Sequence, residues 1–203
     1  MKDIPKFIGL TPIKDRTYTL NQKGLRKNSC EYIVLHSTGK QRFADVLGCH
    51  LNNGWDGIGY HLFISSKNKV FQGRPFNLEG AHALGFNTNS LSLCIYSNNS
   101  LPNKKTIKKG REILKGLQKH HPNSKIIPHT LAQIIYNNRL LRNASLDFQF
   151  PEEIDVAKKG RFEEIKLEMT NLINKLENSK YETLKKHLKW FKNCPGEMFY
   201  YFI

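Results

Sequence analysis

The chain has 203 residues, of which 39% are hydrophobic and 24% are charged, and its formal net charge is +15. This length favours one domain with elaborations over two equal domains. No segment approaches the roughly 18 consecutive apolar residues of a membrane span, so the sequence predicts none. The positive charge indicates an anionic partner, which charge alone does not identify.

The positive charge is concentrated in the first three quarters of the chain. Residues 1–150 carry 22 Lys/Arg against 8 Asp/Glu, whereas residues 151–193 carry 10 against 8. The first residues lack the apolar core and small-residue cleavage site of a secretory signal, so we expect synthesis in a cytoplasm without a signal peptide. The four cysteines form no Cys-x-x-Cys pair, which predicts reduced thiols rather than a disulfide framework.

The first elements predicted are an irregular arm, a strand and a helix. Residues 1–29 show no clean periodicity and form the arm. Residues 31–37 are rich in β-forming side chains, which predicts a buried strand that ends near His36. A helix is expected over residues 42–52. A single histidine at a strand end is a weak sign of metal binding, because isolated histidines more often only pack.

The next part of the chain predicts three further strands. A glycine-rich turn at residues 54–59 precedes a strand at 60–65, and a short polar turn leads into a strand at 69–74, which together predict a hairpin. Residues 90–96 alternate between two faces, as expected of a sheet strand.

The central part of the chain predicts a helix followed by a last strand. Residues 104–120 place apolar side chains at helical spacing among lysines, which predicts an amphipathic helix with a basic outer face. A short strand at 125–129 then ends in His129. This alternation of strands and helices predicts an α/β fold with a mixed central β-sheet and flanking helices.

A helical insertion is predicted at residues 130–191. We expect a short helix up to residue 143, a long amphipathic helix over 162–176 and another over 181–191. Together with the N-terminal arm, this gives a single domain over residues 1–203.

Five groups of short motifs occur in order along the chain. They are Val34-Leu35-His36-Ser37-Thr38; Gly54-Trp55 with Gly59-Tyr60-His61-Leu62-Phe63-Ile64; Gly73-Arg74; Gly80-Ala81-His82-Ala83 with Asn87 and Asn89-Ser90-Leu91; and Lys192-Asn193-Cys194-Pro195-Gly196. In these motifs the chain resembles the zinc amidase family that includes T7-type phage lysozymes, bacterial amidases of wall recycling and peptidoglycan recognition proteins. The resemblance implies that family's fold, with the helical insertion before the last zinc ligand.

The resemblance implies one catalytic Zn²⁺ held by His36, His129 and Cys194. Two imidazoles and one thiolate form a known catalytic ligand set that leaves the fourth position open. His187 is an alternative second ligand, because it precedes Cys194 by only seven residues. The neighbours of His187 have helical spacing, whereas His129 follows an Ile-Ile strand as the family's second ligand does, so His129 is preferred.

The resemblance also implies roles for four other residues. Tyr60 would face the metal and bind the water or the developing oxyanion, and Lys192 would reach the reacting carbonyl. His82 and Asn87 would line the substrate groove, although a turn-forming role is an alternative for Asn87.

The function implied is hydrolysis of the N-acetylmuramoyl-L-alanine bond of peptidoglycan or muropeptides by a monomer. Phage lysis as an endolysin, wall recycling and antimicrobial action as a delivered effector all remain open as settings. Two other hypotheses are a non-catalytic peptidoglycan-binding module and nucleic-acid binding through the lysine-rich helix. The second depends on charge only, so no specific nucleic acid is expected as a partner.

Overall fold

The computed structural model describes residues 24–97, 101–143, 159–175, 194 and 196–202. Within these residues, the chain forms five strands, four α-helices and a final 3₁₀ helix. The elements are β1 (Tyr32–Gly39), α1 (Phe43–Asn52), β2 (Leu62–Ile64), β3 (Val70–Gln72), β4 (Ser90–Tyr96), α2 (Lys104–His120), β5 (Lys125–Pro128), α3 (His129–Asn143), α4 (Lys159–Lys175) and a final 3₁₀ helix (Gly196–Tyr201).

The five described strands form one mixed sheet in the order β3-β2-β4-β1-β5. β1 pairs in parallel with both β4 and β5, and β2 pairs in parallel with β4. β2 and β3 form the only antiparallel pair among these strands, which is the predicted hairpin. The predicted fold class, a mixed sheet with flanking helices, is confirmed.

Both faces of the central strands are buried. All residues of β4 except Tyr96 are buried, which explains why this strand is almost continuously apolar or small. On one face, Phe63 and Cys94 pack in a cluster with the α1 residues Phe43, Val46 and Leu47. Because α1 follows β1 after three residues, this packing places the helix beside the end of β1 that carries His36.

Local hydrogen bonds define where α1 and α2 begin. The Asp45 carboxylate accepts from the Arg42 backbone N–H at 2.8 Å at the start of α1. The Asn103 side chain accepts from the Thr106 backbone N–H at 2.9 Å and caps α2. Such caps satisfy N–H groups that lack partners within the helix.

The predicted strands and helices of residues 31–129 are confirmed within one or two residues. β4 and α2 have the predicted bounds, and β2 and β3 are shorter than predicted. α3 is longer than the short helix expected before residue 143, and α4 agrees with the predicted long helix. Residues 1–23 of the predicted arm and the helix predicted at 181–191 lie outside the described residues.

Contacts divide the chain into two compact units. The first comprises Met1–His129 with Cys194–Ile203, and the second comprises Thr130–Asn193. The predicted boundaries of the helical insertion lie close to those of the second unit, and the single-domain assignment stays a prediction. Among the described residues, no helix is both long enough and apolar enough to cross a bilayer.

Candidate metal centre

Three side chains of the first unit meet beyond the carboxyl ends of β1 and β5. His36 lies near the end of β1, His129 directly follows β5 as the first residue of α3, and Cys194 lies just before the final 3₁₀ helix. One ligand atom from each of the three lies within 4.8 Å of the others. β1 and β5 are parallel neighbours, so their carboxyl ends bring the two histidines to the same edge.

The donor set and its spacing fit a zinc ion. The Cys194 Sγ lies 4.0 Å from the His36 Nδ1. Bonds of about 2.0 Å to nitrogen and 2.3 Å to sulfur place two tetrahedral ligand atoms about 3.5 Å apart, so this pair has to close by about 0.5 Å. His36 is buried, while His129 and Cys194 are partly exposed.

A backbone amide lies against the Cys194 sulfur. The Ser37 N–H donates to the Cys194 Sγ at 3.3 Å. The Cys194 Sγ also lies 3.7 Å from the Ser37 carbonyl oxygen, to which a thiol would donate, and metal binding would require the thiolate form. Because Ser37 follows His36 directly, the same stretch of β1 orients two of the three candidate ligands.

The other side of the His36 ring contacts His82. The His36 Nε2 lies 3.1 Å from the His82 Nδ1, and the two rings meet edge to face at a centroid distance of 5.0 Å. The His82 Nε2 in turn lies 3.3 Å from the Ser90 Oγ. Since His36 Nδ1 faces Cys194, each nitrogen of His36 has a separate partner.

Two glycines allow the loops around His82 to approach closely. A Cβ on Gly80 would lie 2.2 Å from the His82 ring, and a Cβ on Gly59 would lie 2.0 Å from the Ala81 carbonyl oxygen. Gly59 and Ala81 are also joined by a backbone hydrogen bond of 3.0 Å. Larger residues would therefore separate Tyr60, which follows Gly59, from His82.

Tyr60 lies among the histidines of the centre. Its ring centroid is 5.0 Å from that of His36 and 5.6 Å from that of His50. Burial raises the pKa of Tyr60 well above its ordinary value, and a hydrogen bond with Cys94 acts in the same direction. The phenol is therefore protonated at neutral pH and can donate a hydrogen bond.

Burial also keeps the histidines of this region neutral. It lowers the pKa of His36 and of His82 well below the ordinary value, and neighbouring imidazoles lower both further. Burial lowers the pKa of His50 to about 4. A neutral imidazole has a free lone pair, so the environment of His36 suits a metal ligand.

The structure brings five of the seven predicted site residues into one region. The three candidate ligands, Tyr60 and His82 lie together, as described above. The Asn87 side-chain oxygen accepts from the backbone N–H groups of His82 and Ala83 at 2.8 and 2.9 Å, which agrees with the turn-forming alternative. Substrate contacts by His82 and Asn87 stay predictions. Lys192 and the alternative ligand His187 lie outside the described residues.

Sequence reasoning assigned no role to three polar residues around the centre. His50 accepts from the Gly59 N–H at 2.9 Å. Arg74 is 2% exposed and donates to the carbonyl oxygens of Ile58 and Glu79, which ties two loops together. Ser90 is fully buried beside His82. The Gly73-Arg74 pair is one of the motifs in the sequence. The burial and the partners of all three residues depend on tertiary contacts.

The curated relatives that the chain matches include peptidoglycan recognition proteins and endolysins. Peptidoglycan-recognition protein 2 of Holotrichia diomphalia is 27% identical over 97 residues, which are 41% of this chain and 52% of that protein. The endolysin of Escherichia phage T7 is 39% identical over 46 residues, which are 23% of this chain and 30% of that protein. The chain spans about half the length of the first of these relatives, and less of the second.

Solved structures share the fold. The Ph2119 endolysin of the Thermus scotoductus bacteriophage is 25% identical with a TM-score of 0.50, and the match covers 55% of this chain and 80% of that one. The endolysin amidase LysCS of Clostridium intestinale is 23% identical with a TM-score of 0.52, covering 57% of this chain and 78% of that one.

A family model covers all five described strands and two of the candidate ligands. The model Amidase_2, described as N-acetylmuramoyl-L-alanine amidase, matches residues 26–141, which are more than half of the chain. The match includes His36 and His129 and ends before Cys194. Since sequence and fold agree in this way, the chain belongs to the N-acetylmuramoyl-L-alanine amidase family.

Proposed function

We propose that the protein is a zinc-dependent amidase that hydrolyses the bond between the lactyl group of N-acetylmuramic acid and L-alanine in peptidoglycan or muropeptides. The observation that carries this proposal is the distance of 4.8 Å or less among the candidate ligand atoms of His36, His129 and Cys194. Family membership supplies the reaction, and the three side chains supply a centre at which the reaction can occur.

The surroundings of His36 and Cys194 support this proposal. When bound, zinc supplies a Lewis acid and activates water at neutral pH. Burial keeps His36 neutral, and the Ser37 N–H donates to the Cys194 Sγ, a contact that a thiolate would accept. Two imidazoles and one thiolate would leave the fourth position on zinc for water or substrate.

Tyr60 is proposed as a hydrogen-bond donor to the developing oxyanion. Its raised pKa excludes a role as general base at neutral pH, because the phenol does not lose its proton there. Lys192 precedes Cys194 by two residues in the sequence and is proposed to provide a positive charge near the same oxygen. Donors directed at a developing charge each contribute about 10²- to 10³-fold to the rate in comparable hydrolases.

A catalytic role is favoured over a non-catalytic binding module. A recognition module needs a groove for muropeptides but has no need of a thiolate beside two imidazoles. Cys194 lies 4.0 Å from His36 and accepts a backbone hydrogen bond, an arrangement that suits a metal ligand. The net charge of +15 suits an anionic wall as the substrate of either class of protein.

The experiment that tests the proposal measures zinc content and product release together. The purified protein is expected to hold about one zinc per chain and to release stem peptides from sacculi, as detected by mass spectrometry. Cys194→Ser is expected to lose both zinc and activity. Cys49→Ser is the matched control, since Cys49 is an exposed thiol on α1.

Four results would contradict the amidase proposal. Activity that survives complete chelation of metal would exclude zinc chemistry, and full activity of Cys194→Ser would exclude this ligand. Binding to sacculi without any released peptide, by protein that contains zinc, would instead support the non-catalytic module. Cleavage of a different bond would show in the masses of the products.

A further inference from the structure

A chain of hydrogen bonds leads from a backbone carbonyl to the candidate ligand His36. The Ser90 hydroxyl donates to the Phe86 carbonyl oxygen at 2.6 Å. The Ser90 Oγ lies 3.3 Å from the His82 Nε2, and the His82 Nδ1 lies 3.1 Å from the His36 Nε2. The opposite nitrogen of His36, Nδ1, faces the Cys194 sulfur at 4.0 Å.

The chemistry of the groups determines the direction of every bond in this chain. A carbonyl oxygen only accepts, so the single hydroxyl proton of Ser90 is used toward Phe86. The Ser90 oxygen can then only accept, which places the proton of neutral His82 on Nε2. The His82 Nδ1 therefore accepts, and His36 must donate from its Nε2.

The consequence concerns the nitrogen of His36 that faces the centre. A neutral imidazole carries one proton, and in His36 that proton lies on Nε2. Nδ1 therefore carries no proton, and its lone pair is directed toward Cys194, the side on which a metal would bind. The opposite tautomer would place a proton on Nδ1 and block this position.

We propose that Ser90 and His82 are positioning residues that hold His36 in the tautomer and ring orientation needed to bind zinc through Nδ1. This inference depends on the proposed zinc site but adds residues and a proton arrangement to it. A metal-bound histidine commonly donates its other N–H to an acceptor, and loss of such a partner typically costs about 10- to 100-fold in metal affinity. Here that acceptor is a second histidine, itself oriented by a serine.

The surroundings of the chain keep its members in place. Ser90 is fully buried and His36 is 1% exposed, so water does not compete for these bonds. Gly80 leaves room for the His82 ring, and the Asn87 oxygen binds the His82 backbone N–H at 2.8 Å. Both ring nitrogens of His82 are used inside the protein, which favours positioning over direct contact with substrate.

The same strand offers a matched control. Ser92, also on β4 and 1% exposed, lies 3.0 Å from the His61 Nδ1. The His61 Nε2 donates to the Leu78 carbonyl oxygen at 2.9 Å, so both ring nitrogens of His61 have partners outside the hydrogen-bond chain, while its ring packs edge to face on His82 at 5.7 Å. Ser92→Ala therefore removes a buried hydroxyl next to a histidine without altering the partners of His36.

The first measurement is zinc affinity by competition with a chromogenic chelator. Ser90→Ala is expected to weaken zinc binding about 10- to 100-fold, whereas Ser92→Ala leaves it unchanged. Two variants of similar size test His82 directly: His82→Asn keeps an acceptor near the Nδ1 position, and His82→Leu does not. The asparagine variant is expected to bind zinc more tightly than the leucine variant. Thermal unfolding of each metal-free variant checks that it folds.

The outcomes separate this inference from the proposed function. If the wild-type protein binds zinc and Ser90→Ala binds it equally well, the positioning role is wrong and the zinc site stands. Equal affinities of the two His82 variants would overturn it as well, and this comparison decides the matter if Ser90→Ala does not fold. If the wild type and Cys194→Ser both fail to bind zinc, the proposed function fails.

A second measurement reads the tautomers directly in metal-free protein. Long-range ¹H–¹⁵N spectra of the histidine side chains are expected to show His36 and His82 protonated on Nε2, with each residue assigned from the signals lost in His36→Asn and His82→Asn. Ser90→Ala is expected to let the Nδ1 proton appear on His36. A proton on His36 Nδ1 in the wild type would overturn the proposal, whether or not zinc binds.

Discussion

The two compact units of the chain differ in what they contribute to the candidate centre. The first, Met1–His129 with Cys194–Ile203, contains the sheet, all three candidate ligands and 20 Lys/Arg against 8 Asp/Glu. The second, Thr130–Asn193, contains α4, most of α3 and 12 Lys/Arg against 9 Asp/Glu. It begins directly after one candidate ligand and ends directly before another.

This arrangement shows that the number of residues between two candidate ligands does not predict how close their ligand atoms lie. His129 and Cys194 are separated by the whole second unit, yet their ligand atoms lie within 4.8 Å. A segment whose two ends return to neighbouring positions can vary in length while the ligands stay in place. The short spacing of His187 to Cys194 is therefore weak support for His187 as a ligand.

The largest effect is expected from a comparison of two alanine variants, one at His129 in the first unit and one at the alternative ligand His187 in the second. His129→Ala is expected to lower amidase activity about 10³-fold or more, because loss of a ligand removes several kcal/mol of transition-state stabilisation by the metal. His187→Ala is expected to keep nearly full activity. Bound zinc and product release, each measured per protein chain for both variants, check this prediction.

The opposite result would overturn the comparison between the units. Loss of zinc and activity in His187→Ala, with both retained in His129→Ala, would assign a ligand to the second unit. The double variant of His129→Ala and His187→Ala tests whether His187 partly replaces His129 as a ligand. Its activity should equal that of His129→Ala alone.

A smaller effect is expected from pH on the free energy of unfolding, and it should be confined to the first unit. Burial lowers the pKa of His61 to about 4 from an ordinary value of 6.5. Between these values the unfolded chain binds a proton that the folded chain does not. The free energy of unfolding therefore decreases as pH falls from 6.5 to 4, by about 1.4 kcal/mol per pH unit for each such histidine, and is independent of this group above that range.

The two tryptophans allow this effect to be followed in each unit. Trp55 belongs to the first unit and Trp190 to the second, which contains only one histidine, His187. Urea unfolding of metal-free Trp190→Phe, followed by Trp55 fluorescence, is expected to show the decrease. In Trp55→Phe, where Trp190 fluorescence reports on the second unit, the free energy of unfolding is expected to depend less on pH if that unit unfolds separately. A stability that stays constant between pH 7 and 5 in the first unit would contradict the prediction.

The smallest effect is expected from the surface charge of α2. Lys104, Lys108 and Lys115 are exposed and line one shallow groove on this helix. Exchanging all three for glutamine is expected to weaken binding to anionic sacculi roughly fivefold at low salt, because the positive field that attracts the wall decreases. The difference should disappear at high salt, where exposed charges are screened.

The matched control removes three lysines from the second unit. Lys185, Lys186 and Lys189 exchanged for glutamine lower the net charge by the same amount. This variant is expected to bind sacculi more tightly than the α2 variant. Equal losses in the two variants would show that net charge, rather than the basic face of α2, determines binding. Cleavage of a small soluble muropeptide should be unchanged in both.

Most of the described elements of the first unit could be predicted from the sequence. The apolar runs at 31–37 and 90–96 and the amphipathic pattern at 104–120 are local signals that depend on the period of one element. They gave β1, β4 and α2 with small errors at the ends. The short spacing of 60–65 and 69–74 likewise predicted the β2–β3 hairpin, whose partners are close in sequence.

The sequence by itself determined which residue types could form a zinc centre and which elements carry them. Only the tertiary structure decided that β1 lies between β4 and β5, because parallel strands pair across long stretches of chain. That order brings His36 and His129 to one edge, and the return of the chain after the second unit adds Cys194. The hydrogen bonds among Ser90, His82 and His36 were also decided by the tertiary structure, since partners distant in sequence meet only through packing.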